Sequence, residues 1–329
     1  MEFLQHTWYL LVGVLLAGYA VLDGFDLGIG FLLPVLAKDD KERRTLFNAV
    51  GPFWDGNEVW LLTGGGALFA AFPNVYATVF SGFYLALMLV LFALIFRAVS
   101  LEFWKYDSAR SGLWRWAFTT GSLLPALLYG VALGNVVQGI PLDGRWEFTG
   151  TFFTLLRPFP LALGLLGLAA FALQGCTWAA LKSDGVLRQR AQDWGRRSVW
   201  AVGILFLFVF GLALAVVPGV ASRPLVYVAG LLVLFAVWMS RSAIAKGKDK
   251  AAFLASSGLW LALWFLVGIW HYPNLVRDTA EVNPMTLFNA SSSQLTLTVM
   301  LIIALVGMPV VIGYTLFAYR AFKGKVSLD

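Results

Sequence analysis

Charge is what this sequence has least of: 13% of its 329 residues are Asp, Glu, Lys or Arg, against about 25% in an ordinary soluble domain. That shortage excludes a fully solvated globular surface. Cysteine is nearly missing as well. The single Cys176 excludes an internal disulfide and any zinc or cluster site built from several thiolates, and its apolar surroundings make it buried packing. There are only two histidines, His6 and His271. Both lie near expected helix ends rather than paired at depth, which leaves the chain poor in heme ligands. His271, within Trp270-His-Tyr-Pro-Asn274, reads as an interfacial polar residue. No phosphate-binding glycine loop, dinucleotide fingerprint, Ser/His/Asp set or cysteine pair occurs. The chain therefore has no redox centre or nucleophilic site of its own, and no metal site is expected.

What is abundant is apolar sequence. Hydrophobic residues make up 60% of the chain, and the mean hydropathy is +0.78. Apolar runs long enough to cross about 30 Å of hydrocarbon as helices fall at 8–33, 51–72, 76–99, 116–138, 159–181, 199–217, 224–241, 254–271 and 295–319. They predict an all-α integral membrane protein of about nine transmembrane helices in one polytopic domain over 1–329. The hydropathy pattern divides into two four-helix bundles and a peripheral last helix, with a first bundle in 1–140, a second in 141–275, and the last helix and tail in 276–329. Met1 to His6 carry no basic segment, and the first apolar run is too long for a signal peptide, so the first helix is expected to stay attached. Gly24 and Gly28, spaced as GxxxG, and Gly64-Gly65-Gly66 allow helices to approach closely.

The connecting segments divide sharply in charge. Twenty of the 24 Lys and Arg residues fall after the odd-numbered spans, for example Lys38, Lys41, Arg43 and Arg44 after the first. Only Arg145, Arg157, Arg223 and Arg277 lie on the other side. The positive-inside rule then puts the N-terminus outside, the C-terminus in the cytoplasm, and an odd number of spans between. The net charge of +6 is thus a matter of topology and of attraction to anionic membrane lipid. No basic patch sits on a soluble module, so nucleic acid is not an expected partner.

Against this background, Asp23-Gly-Phe-Asp26 and Trp54-Asp-Gly-Asn-Glu58 place four carboxylates inside bilayer-like sequence. An Asp at the centre of a membrane helix costs about 2.5–3.5 kcal/mol on the insertion scale, so such groups are kept to pair, bind or move protons. Asp23 and Asp26 are i, i+3 neighbours, as are Asp55 and Glu58, so each pair can share a helix face. With Arg97 near the same end of the third span, all lie in one layer on the cytoplasmic side, and Asn57 adds a neutral hydrogen-bonding group. Four acids with one nearby Arg cannot all be ionised cheaply, and desolvation favours keeping a proton on some of them. That is relay chemistry. The same residues are also compatible with a buried ionic network that only fixes helix packing. No ligand spacing resembles a calcium loop.

Several stretches resemble subunit II of the cytochrome bd-type quinol oxidases. They are Ala20-Val-Leu-Asp-Gly-Phe-Asp-Leu-Gly-Ile-Gly30, Gly51-Pro-Phe-Trp-Asp-Gly-Asn-Glu-Val-Trp-Leu61, Gly64-Gly-Gly-Ala-Leu-Phe-Ala-Ala-Phe-Pro73, Phe80-Ser-Gly-Phe-Tyr84, Phe96-Arg97 and Gly134-Asn-Val-Val-Gln-Gly-Ile-Pro141. The length and loop pattern agree over essentially the whole chain. The resemblance implies a terminal oxidase complex of the bacterial inner membrane that oxidises quinol and reduces dioxygen to water, drawing protons from the cytoplasm. In that family heme b558, heme b595 and heme d, with the quinol-oxidising loop, belong to the larger subunit I. This chain would be its heme-free partner, beside any small accessory subunits. Carried over by position, Asp26, Asp55 and Glu58 are candidates for a proton pathway, with Asp23 and Asn57 as supporting polar groups and Arg97 as counter-charge. Family members often have an amide where Glu58 stands. Some hold a structural quinone in this subunit, which the sequence leaves open. Two other readings stand beside this one: an assembly scaffold, and a secondary transporter coupled through its intramembrane carboxylates, for which no broken helices in corresponding halves are evident.

Overall fold

In the computed structural model, residues 1–326 are described. Helix α1 (Glu2–Leu22) continues into α2 (Gly24–Leu36) through one irregular residue, Asp23. Backbone bonds from Asp23 to Tyr19 and from Leu27 to Asp23 carry the helix direction across the joint. The two form one apolar segment of 35 residues. Next come α3 (Asp40–Val50), α4 (Trp54–Ala71), α5 (Pro73–Gly82) and α6 (Tyr84–Phe103). They are followed by α7 (Ser111–Gln138), α8 (Pro158–Lys182), α9 (Gly185–Val216), α10 (Pro224–Ala245), α11 (Asp249–His271) and α12 (Gln294–Ala321). Proline opens α5, α8 and α10, where its fixed φ suits the first turn and its missing N–H costs nothing.

All nine expected segments are helical, the third being divided at Phe83 into α5 and α6. Among the described residues, eight helices are long and apolar enough to cross a membrane. Helix α4 is not among them, although its 18 residues span about 27 Å. The reason lies in its sequence: Asp55, Asn57, Glu58 and the Gly64–Gly66 run remove the hydrophobicity that the other helices have. Helix α3 departs from the sequence reading, which treated its segment as a charged connection. Asp39 accepts from the Glu42 N–H at 2.8 Å and caps the helix, while Leu46, Phe47 and Val50 turn inward.

Helix α8 is the axis of the packing. In its apolar stretch 78% of the residues are buried, against 6% in α12. Helix α2 packs on both α7 and α8, and α9 and α11 close on α8 from other sides. The α2–α8 contact is set by Gly28 and Gly175: a Cβ on Gly175 would meet the Gly28 carbonyl carbon at 2.5 Å and the Ile29 nitrogen at 2.6 Å.

Two loops cover the end of the bundle at which α1 begins. Residues 139–157 and 272–293 are joined by the Ile140 to Asp278 bridge, and β1 (Asn274–Val276) pairs antiparallel with β2 (Met285–Thr286). Helix α12 is held chiefly at its ends. At one, the Ser292 N–H and hydroxyl donate to the Ala71 and Ala70 carbonyls at 2.8 and 2.6 Å. At the other, Lys182 Nζ donates to the Phe322 and Gly324 carbonyls at 2.6 and 3.2 Å, and Lys325 pairs with Asp184.

Candidate functional site

The site forms where the irregular joint between α1 and α2 faces α4 and α6. Asp23 is fully buried, and Arg97, reaching from α6, is 1% exposed. The guanidinium grips the carboxylate with two nitrogens, Nη1 to Oδ2 at 2.9 Å and Nη2 to Oδ1 at 2.5 Å, the geometry in which Arg and carboxylate match best. Gly121 of α7 lets the helices close around this pair, since a Cβ there would meet the Ala93 carbonyl at 2.6 Å and the Arg97 nitrogen at 2.9 Å.

Asp26, one turn on, is equally buried but lies 4.0 Å from Arg97 Nη2. Its Oδ2 accepts instead from Asn57 Nδ2 at 2.7 Å, and the same amide nitrogen donates to the Leu22 carbonyl at 3.0 Å. Asp26 Oδ1 is enclosed and unbonded. The cluster thus holds two buried carboxylates and one cation, with an oxygen to spare. A proton on Asp26 would make the group neutral, whereas two ionised carboxylates would leave a net negative charge in a region from which water is excluded.

Asn57, itself buried, also reaches α12, its Oδ1 accepting from the Tyr319 hydroxyl at 3.4 Å. Tyr319 and Asn57 line a surface cavity of about 240 Å³, shared with Asp55, Glu102 and Tyr314. Asp55 is exposed and Glu58 half-buried. Neither has a side-chain hydrogen bond to the Asp23–Arg97–Asp26 group among the described residues. Of the six residues singled out in the sequence, Asp23, Asp26, Asn57 and Arg97 are in direct contact, and Asp55 shares only the cavity lining with Asn57. Glu58 lies on the same turn of α4 but outside both the contact group and the cavity lining.

Sequence reasoning missed Tyr319 and Glu102. Glu102 was visible as an acid five residues after Arg97; Tyr319 had no local signal. Among the described residues no group of three or more His, Cys, Asp or Glu is placed to hold a metal ion. His271 bonds to the Val136 carbonyl at 3.2 Å, and His6 to the Tyr272 hydroxyl at 3.0 Å.

A bundle of long apolar helices whose interior keeps two carboxylates beside one guanidinium defines an all-α integral membrane protein. The family is fixed by comparison. The family described as "Cytochrome bd terminal oxidase subunit II" matches residues 4–322, and the chain belongs to it. It is 37% identical to the cytochrome bd-I ubiquinol oxidase subunit 2 of Escherichia coli strain K12, over all of this chain and 96% of that one. With the cytochrome bd ubiquinol oxidase subunit 2 of Bacillus subtilis strain 168 it shares 34% identity over 99% and 98% of the two chains. The fold matches a chain of the bd oxidase from Geobacillus thermodenitrificans with a TM-score of 0.83, covering 98% of this chain and 99% of that one at 15% identity. As a member of this family the chain is one subunit of a membrane oxidoreductase complex and works beside a subunit I.

Proposed function

We propose that this chain is the heme-free second subunit of a bd-type oxidase of the bacterial inner membrane, and that it conducts protons toward the partner in which dioxygen is reduced to water. Quinol oxidation supplies the electrons, and the partner's hemes b558, b595 and d supply the redox chemistry. This chain's residues would hold and pass the protons. The observation that carries the reading is Asp26: it is buried, has an unbonded oxygen, and connects through Asn57 and Tyr319 to a surface cavity lined by Asp55 and Glu102. A proton taken up at Asp55 or Glu102 would cross the cavity on water and pass to Asp26 when the Asn57 amide, which orients the carboxyl but does not itself relay a proton, moves aside; Arg97 stays bound to Asp23. Glu58, half-buried beside this route, would be a secondary acid.

Asp55 itself bears on the partner. With Gly56, Val59, Leu62, Gly66 and Phe69 it lies along a helical line on α4 that the rest of the chain leaves uncovered. A carboxylate exposed on an apolar helix face is costly against lipid, so this line is the face we assign to subunit I. A separate apolar cavity of about 330 Å³, bordered by Tyr9, Tyr19, Tyr129, Trp260 and Trp264, has the size and lining of a site for an apolar ligand and supports a structural quinone there.

The test is quinol-driven oxygen consumption by the purified complex carrying Asp55→Asn or Asp26→Asn, normalised to heme content from the optical spectrum. Removing a relay group should slow turnover by about a hundredfold, the lower range for lost general acid–base catalysis, while heme content stays normal. Loss of hemes with turnover per heme unchanged would instead make the cluster a scaffold. Ion transport by the chain alone would favour the transporter.

A further inference from the structure

At the end of the bundle away from the acidic cluster, a cavity of about 380 Å³ opens between the end of α7, the start of α8, the end of α9 and the 272–293 loop. Two arginines line it. Arg277 is 8% exposed; its Nη1 and Nη2 donate to the Pro218 and Trp270 carbonyls at 3.2 and 2.7 Å. Arg157, half-buried at the start of α8, donates through Nη2 to Asn135 Oδ1 at 3.1 Å and to the Gly139 carbonyl. In both, Nε is enclosed and unbonded. Neither guanidinium has a carboxylate oxygen within 4.0 Å among the described residues. Two cations, one buried and one half-buried, held only by carbonyls are expensive, since an unmade bond to a buried donor costs about 1–3 kcal/mol and an unpaired buried charge more.

The acceptors on the same wall complete the pattern. Asp278 is spoken for: its two oxygens receive the N–H groups of Ala280, Val282 and Asn283 at 3.1, 3.2 and 3.1 Å. Glu281 is exposed, with left-handed backbone at φ 56°, and its carboxylate has no partner among the described residues. Gln138 Oε1 is enclosed and unbonded. The cavity therefore offers two guanidinium groups with no carboxylate oxygen within 4.0 Å and, in the same lining, a carboxylate and an amide oxygen without a donor. A simple anion would satisfy the first set only. A ligand with a phosphate and an ammonium group a few bonds apart satisfies both.

We propose that this cavity binds a phosphoethanolamine-type zwitterion, its phosphate on Arg157 and Arg277 and its ammonium toward Glu281 and Gln138. The cavity lies at helix ends, the level at which a bilayer's headgroups sit, so an aminophospholipid reaches it from the membrane, and a soluble phosphoamine reaches it from water.

The test uses the purified, delipidated oxidase complex, titrated with short-chain phosphatidylethanolamine, short-chain phosphatidylglycerol and glycerophosphoethanolamine and read by native mass spectrometry. One phosphatidylethanolamine should be retained, with phosphatidylglycerol at least about tenfold weaker, the worth of one charge-assisted bond. Arg277→Gln should weaken both lipids. Glu281→Gln should weaken phosphatidylethanolamine alone. Thr279→Glu, which adds a carboxylate at an exposed position of the cavity rim and leaves both arginines in place, should compete with the phosphate for them and weaken both lipids, phosphatidylglycerol the more because it has no ammonium to gain, and keeps the test valid if Arg277→Gln fails to assemble. Glycerophosphoethanolamine binding that falls in the same variants assigns a soluble ligand; a requirement for acyl chains assigns the lipid. Equal retention of the two lipids, or retention unchanged in Thr279→Glu, would overturn the proposal.

Discussion

Arg97 spends both terminal nitrogens on Asp23 and leaves Asp26 to an amide, and this division gives the two aspartates different tasks. Asp23 belongs to a closed ion pair; Asp26 keeps a free oxygen. Replacing Arg97 by Gln would leave Asp23 buried without a counter-charge, at an expected cost of about 3–5 kcal/mol. It should appear as a lowered thermal midpoint of the complex. The double substitution Asp23→Asn with Arg97→Gln should recover part of that loss, because no isolated charge remains. Asp278 makes a second prediction, outside the spans. Burial pushes its carboxyl upward, but the N–H groups of Ala280, Asn283, Val282 and Leu142 outweigh this and hold it below the ordinary carboxylate range. Its contribution is therefore full above the unfolded value of about 4 and is lost as pH falls through the lower folded value. Amide hydrogen exchange of residues 280–283 should accelerate over that acid range, and Asp278→Asn should abolish the pH dependence. At this scale the sequence was legible where polarity conflicted with depth: Asp23, Asp26, Asn57 and Arg97 stood out in apolar runs and do meet. Spacing of i, i+3 placed Asp55 and Glu58 relative to each other on α4. It carried no information on how α4 is rotated against its neighbours, which decides that Asn57 points inward and Asp55 outward. Tyr319 is 262 residues from Asn57, and only the tertiary fold brings them together.

Among the helices, α2 and α8 touch closely enough for glycine to be required at their crossing. Gly175→Ala would drive its methyl into the Gly28 backbone, which cannot rotate aside, so a cost of about 1–3 kcal/mol is expected. The same substitution at Gly258, which has open space around it, should be far milder; yield and thermal midpoint of the complex compare the two. Long apolar runs made the spans readable without tertiary information. Helix α3 was hidden because its inward residues are few and its charges many, so that it reads as a connection until Asp39 and Glu42 are seen to cap it. Helix α4 is the converse case: found in the sequence as a span, it falls short on composition because Asp55, Asn57, Glu58 and its glycines lower its hydropathy.

For the molecule as a whole, the uncovered line on α4 implies that the fold is completed by another chain. A tryptophan in place of Gly66, where an added Cβ would have nothing within 4 Å, should block docking and lower the heme-to-protein ratio of the affinity-purified subunit. Leu231→Trp on α10, also at an exposed position, should leave that ratio unchanged and separates the docking face from the lipid face. The end-held attachment of α12 bears on biogenesis. Chains are made from the N-terminus and their parts fold in that order, so Asp23, Asp26, Asn57 and Arg97 can all come together before residue 319 has left the ribosome. Asn57 then gains its Tyr319 partner only when α12 packs and Lys182 fastens its end.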